Sequence, residues 1–186
     1  LGTLAPEDFV AAYPNVIDDL DDDFKAMQMP EGFTPYGNEY QALIAEKILP
    51  VLADLYAIKL DRSRTAQAGS SMGGLASLYG MVKYPEVYGA ALSYSTHWPI
   101  GGNEMVDWYV EHLPKPGAHK IWSDTGTIEL DAAYPPFHKR FAEKLEKKGY
   151  TYHEDFVHAM YPNTGHNELW WAGRVEHPIN WWLNSL

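Results

Sequence analysis

A serine, two carboxylates and a histidine follow one another along this chain in an order and a setting suited to nucleophilic catalysis. The serine is Ser71, within Gly69-Ser70-Ser71-Met72-Gly73. Thr65 to Ala68 can form a short buried strand ahead of it, and Leu75, Leu78 and Val82 recur at helical spacing behind it. A G-x-S-x-G at a strand-to-helix turn places its serine on a sharp, strained bend that lifts the hydroxyl clear of the sheet, and glycines at 69 and 73 remove side chains expected to clash there. The helix starting at Ser71 aims its free N–H groups at negative charge developing beside the hydroxyl. A serine hydroxyl alone is a poor nucleophile, needing a base to take its proton and a carboxylate to orient that base. Gly126-Thr-Ile-Glu129-Leu-Asp131 and, further on, Gly165-His166-Asn-Glu168 supply both, in the order serine, acid, histidine.

These residues need elements that bring them to one edge. Asn38 reads as the N-cap of a helix carrying Tyr40, Leu43, Ile44, Ile48, Val51, Leu52 and Leu55 on one broad face, kinked by Pro50. Strands are expected at 65–69, 88–94, 119–124 and 152–160, with helices after the serine, near 104–113, over 135–148 with Gly149 as C-terminal cap, and over 168–183. Strands alternating with helices predict a parallel sheet, whose strand ends carry the loops at 71, 126–131 and 165–168. Residues 1–37 hold four prolines and the acidic run Asp18 to Asp23, and read as irregular with a short helix from Pro6 to Tyr13.

The set of motifs resembles the esterase branch of the α/β-hydrolases that includes ferric-enterobactin-type esterases, feruloyl esterases and S-formylglutathione hydrolases. The resemblance runs from about Tyr36 to Leu183 and is carried by Ala68-Gly-Ser-Ser-Met-Gly-Gly74, Lys83-Tyr-Pro-Glu-Val-Tyr-Gly89, Asp124-Thr-Gly-Thr127, Leu130-Asp131 and Gly165-His-Asn-Glu168 with Trp170-Trp171. It implies an α/β-hydrolase fold over residues 38–186, with Ser71 as nucleophile and His166 as base. The triad acid usually stands three residues after the glycine of the Gly-Thr turn, which implies Glu129, with Asp131 as the alternative. The Met72 N–H is then an oxyanion donor. His97 and Trp98, which follow the second strand on the same edge as Ser71, are candidates for the pocket wall together with Tyr94 and Trp170. Of the other histidines, His158 reads as a strand residue, and His112, His119, His138, His153 and His177 read as solvated.

The chain departs from the family in lacking a strand-turn segment before Asn38 that would supply a second oxyanion N–H. It is expected to correspond to the C-terminal half of the fold, about four strands, the N-terminal piece being lost, carried on another chain, or replaced by residues 1–37. An incomplete sheet exposes an edge, so a homo-oligomer or a complementing N-terminal chain is the expected partner. The implied function is hydrolysis of small or aromatic acyl esters through an acyl-enzyme on Ser71. Two other readings stand beside it: a truncated, non-catalytic binding module, and an acyltransferase using the same triad.

Composition narrows the classes further. The 186 residues suffice for one domain with a real core, and a hydrophobic content of 46% with seven Trp suits a globular protein. A net charge of −11 argues against nucleic acid as partner, because little here would neutralise phosphates. There is no Cys, hence no thiol nucleophile and no thiolate metal site, and no paired-histidine spacing points to a metal. No cofactor is expected. No apolar run is long enough for a membrane span, and a soluble protein, cytoplasmic or secreted after processing, is expected.

Overall fold

The computed structural model describes residues 37–186. The expectations for the short helix at 6–13, the acidic run and the rest of the N-terminal segment lie outside those residues, as does any donor preceding Asn38.

Four strands form one parallel sheet in sequence order: β1 Ala66–Ser70, β2 Ala90–Tyr94, β3 Lys120–Thr125 and β4 Phe156–Met160. All four run in one direction, so the loops that leave them open on a common edge, as in open α/β sheets generally. The helices are α1 Gly37–Ala42, α2 Leu49–Leu55, α3 Met72–Lys83, α4 Gly102–His112, α5 Pro135–Lys148, α6 Glu168–Ala172 and α7 Glu176–Leu183. Each strand is followed by one of α3, α4, α5 and α6, as alternating apolar strand and amphipathic helix patterns require.

Two cores flank the sheet. On one face Leu75, Leu78, Tyr79 and Met81 of α3 pack with Val106 and Tyr109 of α4, Phe141 and Leu145 of α5, and Ile121 and Phe156 of the strands. On the other, Ala90, Leu92, Tyr94, Trp122 and Val157 are covered by Trp171, Trp181 and Trp182 from the C-terminal helices. Alternate residues of β2 and β3 thus point to opposite apolar layers, the reason that every residue of β2 is buried. Burying one such side chain contributes roughly 1.5–3 kcal/mol.

Several boundaries follow local chemistry. Gly149, at φ 102°, closes α5 in the left-handed conformation that favours glycine. Pro50 has no N–H to return to the turn before it, and instead of the expected simple kink the chain widens into a π-helical stretch over Leu43–Ile48, where Leu49 N–H bonds back to Ile44. The single last helix expected over 168–183 is two, broken at Gly173–Val175. The apolar face read on the first helix does not reach a core: Leu43, Val51 and Leu55 are 51%, 56% and 70% exposed. β1 is an outer strand of the sheet, and its residues are only partly covered.

Candidate active site

Three loops bring the serine, histidine and carboxylate together. Ser71 directly follows β1 at φ 56° and ψ −120°, a conformation unusual for a residue with a Cβ, and it serves as the N-cap of α3. Neighbouring backbone holds this bend: Ser71 N–H donates to the Tyr94 carbonyl at 2.9 Å, and His97 N–H donates to the Ser71 carbonyl at 3.2 Å. The glycine ahead of the bend is required, since a Cβ on Gly69 would sit 2.3 Å from the Gly73 carbonyl oxygen. Gly73 is a different case. A Cβ there would meet nothing within 4 Å, so the expected clash is confined to the strand side.

His166 Nε2 stands 2.8 Å from Ser71 Oγ, and its Nδ1 stands 2.6 Å from Asp131 Oδ1. The carboxylate on the imidazole is therefore Asp131, and not Glu129, the position implied by counting from the Gly-Thr turn. The reason lies in the 3₁₀ turn Glu129–Ala133, which carries Asp131 inward to zero exposure and leaves Glu129 outside. Glu129, at φ 56°, lies over the next loop, where its Oε2 accepts the His166 backbone N–H at 3.2 Å. Gly165 makes room for it, because a Cβ there would be 2.2 Å from that oxygen.

Asp131 Oδ2 accepts the Gly126 N–H at 2.7 Å and the Ser95 hydroxyl at 2.5 Å. Burial pushes this carboxyl up, but the hydrogen bonds from His166, Ser95 and Gly126 outweigh it and hold the pKa below the usual carboxylate value. The imidazole is boxed by rings, edge-to-face with Tyr134 at 5.4 Å and with Trp171 at 5.0 Å between centroids. Four of the six non-glycine residues with positive φ among the described residues, Ser71, Ser95, Glu129 and Asn163, fall in these loops, so backbone strain is concentrated around the site.

The other predicted residues separate. His97 reaches the site: its ring centroid is 6.3 Å from that of His166, and its Nδ1 is hydrogen-bonded to the Tyr134 hydroxyl at 2.5 Å. Burial, then the neighbouring His166, lower its pKa, which favours the neutral imidazole. Met72 opens α3, where an amide has no intrahelical acceptor and remains available. Trp98 does not line a pocket. A 3₁₀ turn over Trp98–Ile100 sends its ring back into the core against Phe141, at 4.9 Å, and it is 1% exposed. Tyr94 is likewise covered. Trp170 is on the outer side of α6, 36% exposed, and its neighbour Trp171 is the one that packs on His166. His138 and His119, expected in solvent, are buried, His138 beside Ser123 Oγ at 3.1 Å and His119 with Nε2 2.8 Å from the Pro85 carbonyl.

Sequence reasoning missed Ser95 and Arg174. Ser95 stands two residues before His97 in the sequence, with no neighbouring partner to single it out. Arg174 carried a usable signal, being the only Lys or Arg after Lys148, in a segment otherwise rich in Trp. Among the described residues no three His, Asp or Glu are grouped to hold a metal ion, and no helix is long and apolar enough to cross a membrane.

The family model described as Putative esterase matches residues 13–177. The chain belongs to this esterase family. Curated relatives include Iron(III) enterobactin esterase of Escherichia coli (strain K12), 26% identical over 161 residues, 85% of this chain and 38% of that protein. Another is protein YbbA of Bacillus subtilis (strain 168), 24% identical over 136 residues, 68% of this chain and 53% of that protein. The chain thus spans about half the length, or less, of these curated relatives. Among solved structures a ferulic acid esterase superposes with a TM-score of 0.61 at 15% identity, covering 79% of this chain and 61% of its own. At that identity the likeness concerns the fold, and the fold is the α/β-hydrolase one.

Proposed function

We propose that the chain is a serine carboxylester hydrolase acting on small or aromatic acyl esters. The observation that carries this reading is the continuous hydrogen-bonded line Ser71 Oγ, His166, Asp131, with heavy-atom separations of 2.8 and 2.6 Å. Ser71 Oγ attacks the acyl carbonyl as His166 Nε2 takes its proton, and the C–O bond to the alcohol breaks as that proton is handed to the leaving oxygen. Asp131 holds Nδ1–H and stabilises the imidazolium between the two transfers. The Met72 N–H, with the α3 dipole behind it, receives the tetrahedral oxyanion, a donor of the kind worth about 10²–10³ in rate. Water, activated by the same imidazole, then releases the acid. Membership of the esterase family supports the reading, as do relatives whose names make them esterases of enterobactin and of ferulic acid. The rings of His97 and Trp171, both part-exposed beside the imidazole, offer stacking surface to an aromatic acyl group.

The test is hydrolysis of p-nitrophenyl acetate and butyrate by the wild type beside Ser71→Ala, with intact mass after a fluorophosphonate probe. Turnover and a single adduct in the wild type, both lost in Ser71→Ala, are expected. A folded wild type that neither turns over nor labels refutes the proposal.

A further inference from the structure

Behind Asp131 lies a buried polar layer that the acyl transfer itself does not touch. Ser95 and Asp124 have no exposure, and Arg174 has 2%. Three groups surround the Ser95 hydroxyl oxygen: Arg174 Nη2 at 2.7 Å, Trp171 Nε1 at 3.0 Å and Asp131 Oδ2 at 2.5 Å. The first two can only donate, so they fill both lone pairs of the hydroxyl, and its single hydrogen has only the Asp131 carboxylate to go to. The direction of this bond is therefore dictated by its neighbours. A guanidinium hydrogen bond into the hydroxyl polarises it and strengthens the bond it gives to the anion.

The layer is also anchored from three strand ends. Arg174 Nη2 is shared with Asp124 Oδ1 at 2.9 Å, at the end of β3, and Nη1 reaches Thr164 Oγ1 at 3.1 Å, two residues before His166. Asp124 Oδ1 also accepts the Ser95 N–H at 3.3 Å, and Oδ2 accepts Trp122 Nε1 at 3.0 Å. Asp124 compensates the buried guanidinium, which could not otherwise be left without an anion. Ser95 itself is kept at φ 40°, a conformation serine seldom adopts, and that turn is what points its hydroxyl at Asp131.

We propose that Ser95, polarised by Arg174, is a positioning residue that holds Asp131 ionised and aligned on His166. The inference rests on the serine esterase reading. It predicts that the acid limb of activity is set partly from behind the triad: a carboxylate deprived of its hydroxyl donor holds a proton more tightly, and the Asp131–His166 couple protonates at higher pH.

The experiment compares wild type, Ser95→Ala and Arg174→Lys for p-nitrophenyl acetate kinetics from pH 5 to 9. The His166 Cε1–H resonance is titrated in parallel, and folding is checked by near-ultraviolet circular dichroism. In Ser95→Ala, kcat is expected to fall about 10–100-fold with KM little changed, a size typical of groups that orient a site ligand from behind. The acid limb of kcat/KM and the His166 titration are expected to move up by about half a pH unit or more. Arg174→Lys, which keeps the charge and loses the fork, should move both the same way by less, and it carries the test if Ser95→Ala does not fold. A folded variant whose acid limb and titration overlay the wild type overturns the proposal, even if kcat falls, because packing alone would do that. A wild type without turnover or label refutes the esterase reading instead, and the His166 titration still judges the Ser95 role.

Discussion

Replacing Asp131 by Asn should reduce kcat far more than replacing Glu129 by Gln, although the two carboxylates are two residues apart. Asp131 Oδ2 has two donors facing it, the Ser95 hydroxyl at 2.5 Å and the Gly126 N–H at 2.7 Å. An asparagine at 131 will turn its oxygen to these donors and its NH₂ to His166 Nδ1. Nδ1 must then accept, which places the imidazole proton on Nε2, 2.8 Å from Ser71 Oγ. In that tautomer the ring cannot take the serine proton. The expected loss is about 10⁴-fold in kcat, or roughly 5.4 kcal/mol, the size seen when a triad carboxylate becomes an amide with the geometry otherwise kept. Glu129 touches only the outside of the histidine loop, through the His166 backbone N–H at 3.2 Å and Asn167 Nδ2 at 3.5 Å. Its amide variant still accepts, and kcat should change by less than about tenfold, one weakened exposed hydrogen bond being worth about 1 kcal/mol. The assay is kcat for p-nitrophenyl butyrate at pH 8, with fluorophosphonate labelling rates as an independent reading of Ser71 nucleophilicity. If Glu129→Gln loses more than Asp131→Asn, the hydrogen-bond argument is wrong and the acid has been misassigned.

The two glycines of the elbow should part company: Gly69→Ala forces a Cβ against the Gly73 carbonyl at 2.3 Å and should lower the melting temperature by roughly 3–10 °C, whereas Gly73→Ala, facing open space in the first turn of α3, should leave it unchanged or raise it slightly. A drop of equal size in both, measured by thermal circular dichroism, would contradict this. His138 gives a pH effect whose sign is fixed by burial, which pushes its pKa down to about 3. The unfolded chain binds a proton below about pH 6.5 that the native state refuses, so stability is complete above that value and declines as the pH falls toward 3, by roughly 2 kcal/mol at pH 5. His158, lowered in the same direction by burial, adds to it. His138→Gln should therefore show a smaller loss of melting temperature between pH 7 and pH 5 than the wild type, and an equal loss would remove His138 as the cause.

Much of the fold was legible because strand and helix periods here are local properties. The helix over 135–148 and its glycine cap emerge where amphipathic spacing and Gly149 put them, and the serine bend where Gly69 demands it. What stayed hidden depends on direction and not on spacing. Counting from a turn cannot tell Glu129 from Asp131, since a 3₁₀ turn between them decides which carboxylate faces inward. Trp98 and Trp170 carry the right side chains for a pocket, but one rotates into the core and the other out to solvent, choices made by tertiary packing. Ser95 has meaning only once Arg174, 79 residues later, has closed on it.

The hydrogen bond between Ser71 and His166 joins residues 95 positions apart, and the strands that carry them, β1 and β4, are opposite outer strands of the sheet with β2 and β3 between. No sub-fragment of the sheet can assemble this bond, since every strand must be in register before the imidazole reaches the hydroxyl. Nucleophilicity at Ser71 is thus a census of the whole domain. A fluorophosphonate adduct counts molecules in which all four strands are seated, and in a denaturant series labelling should vanish no later than the tryptophan signal of the core.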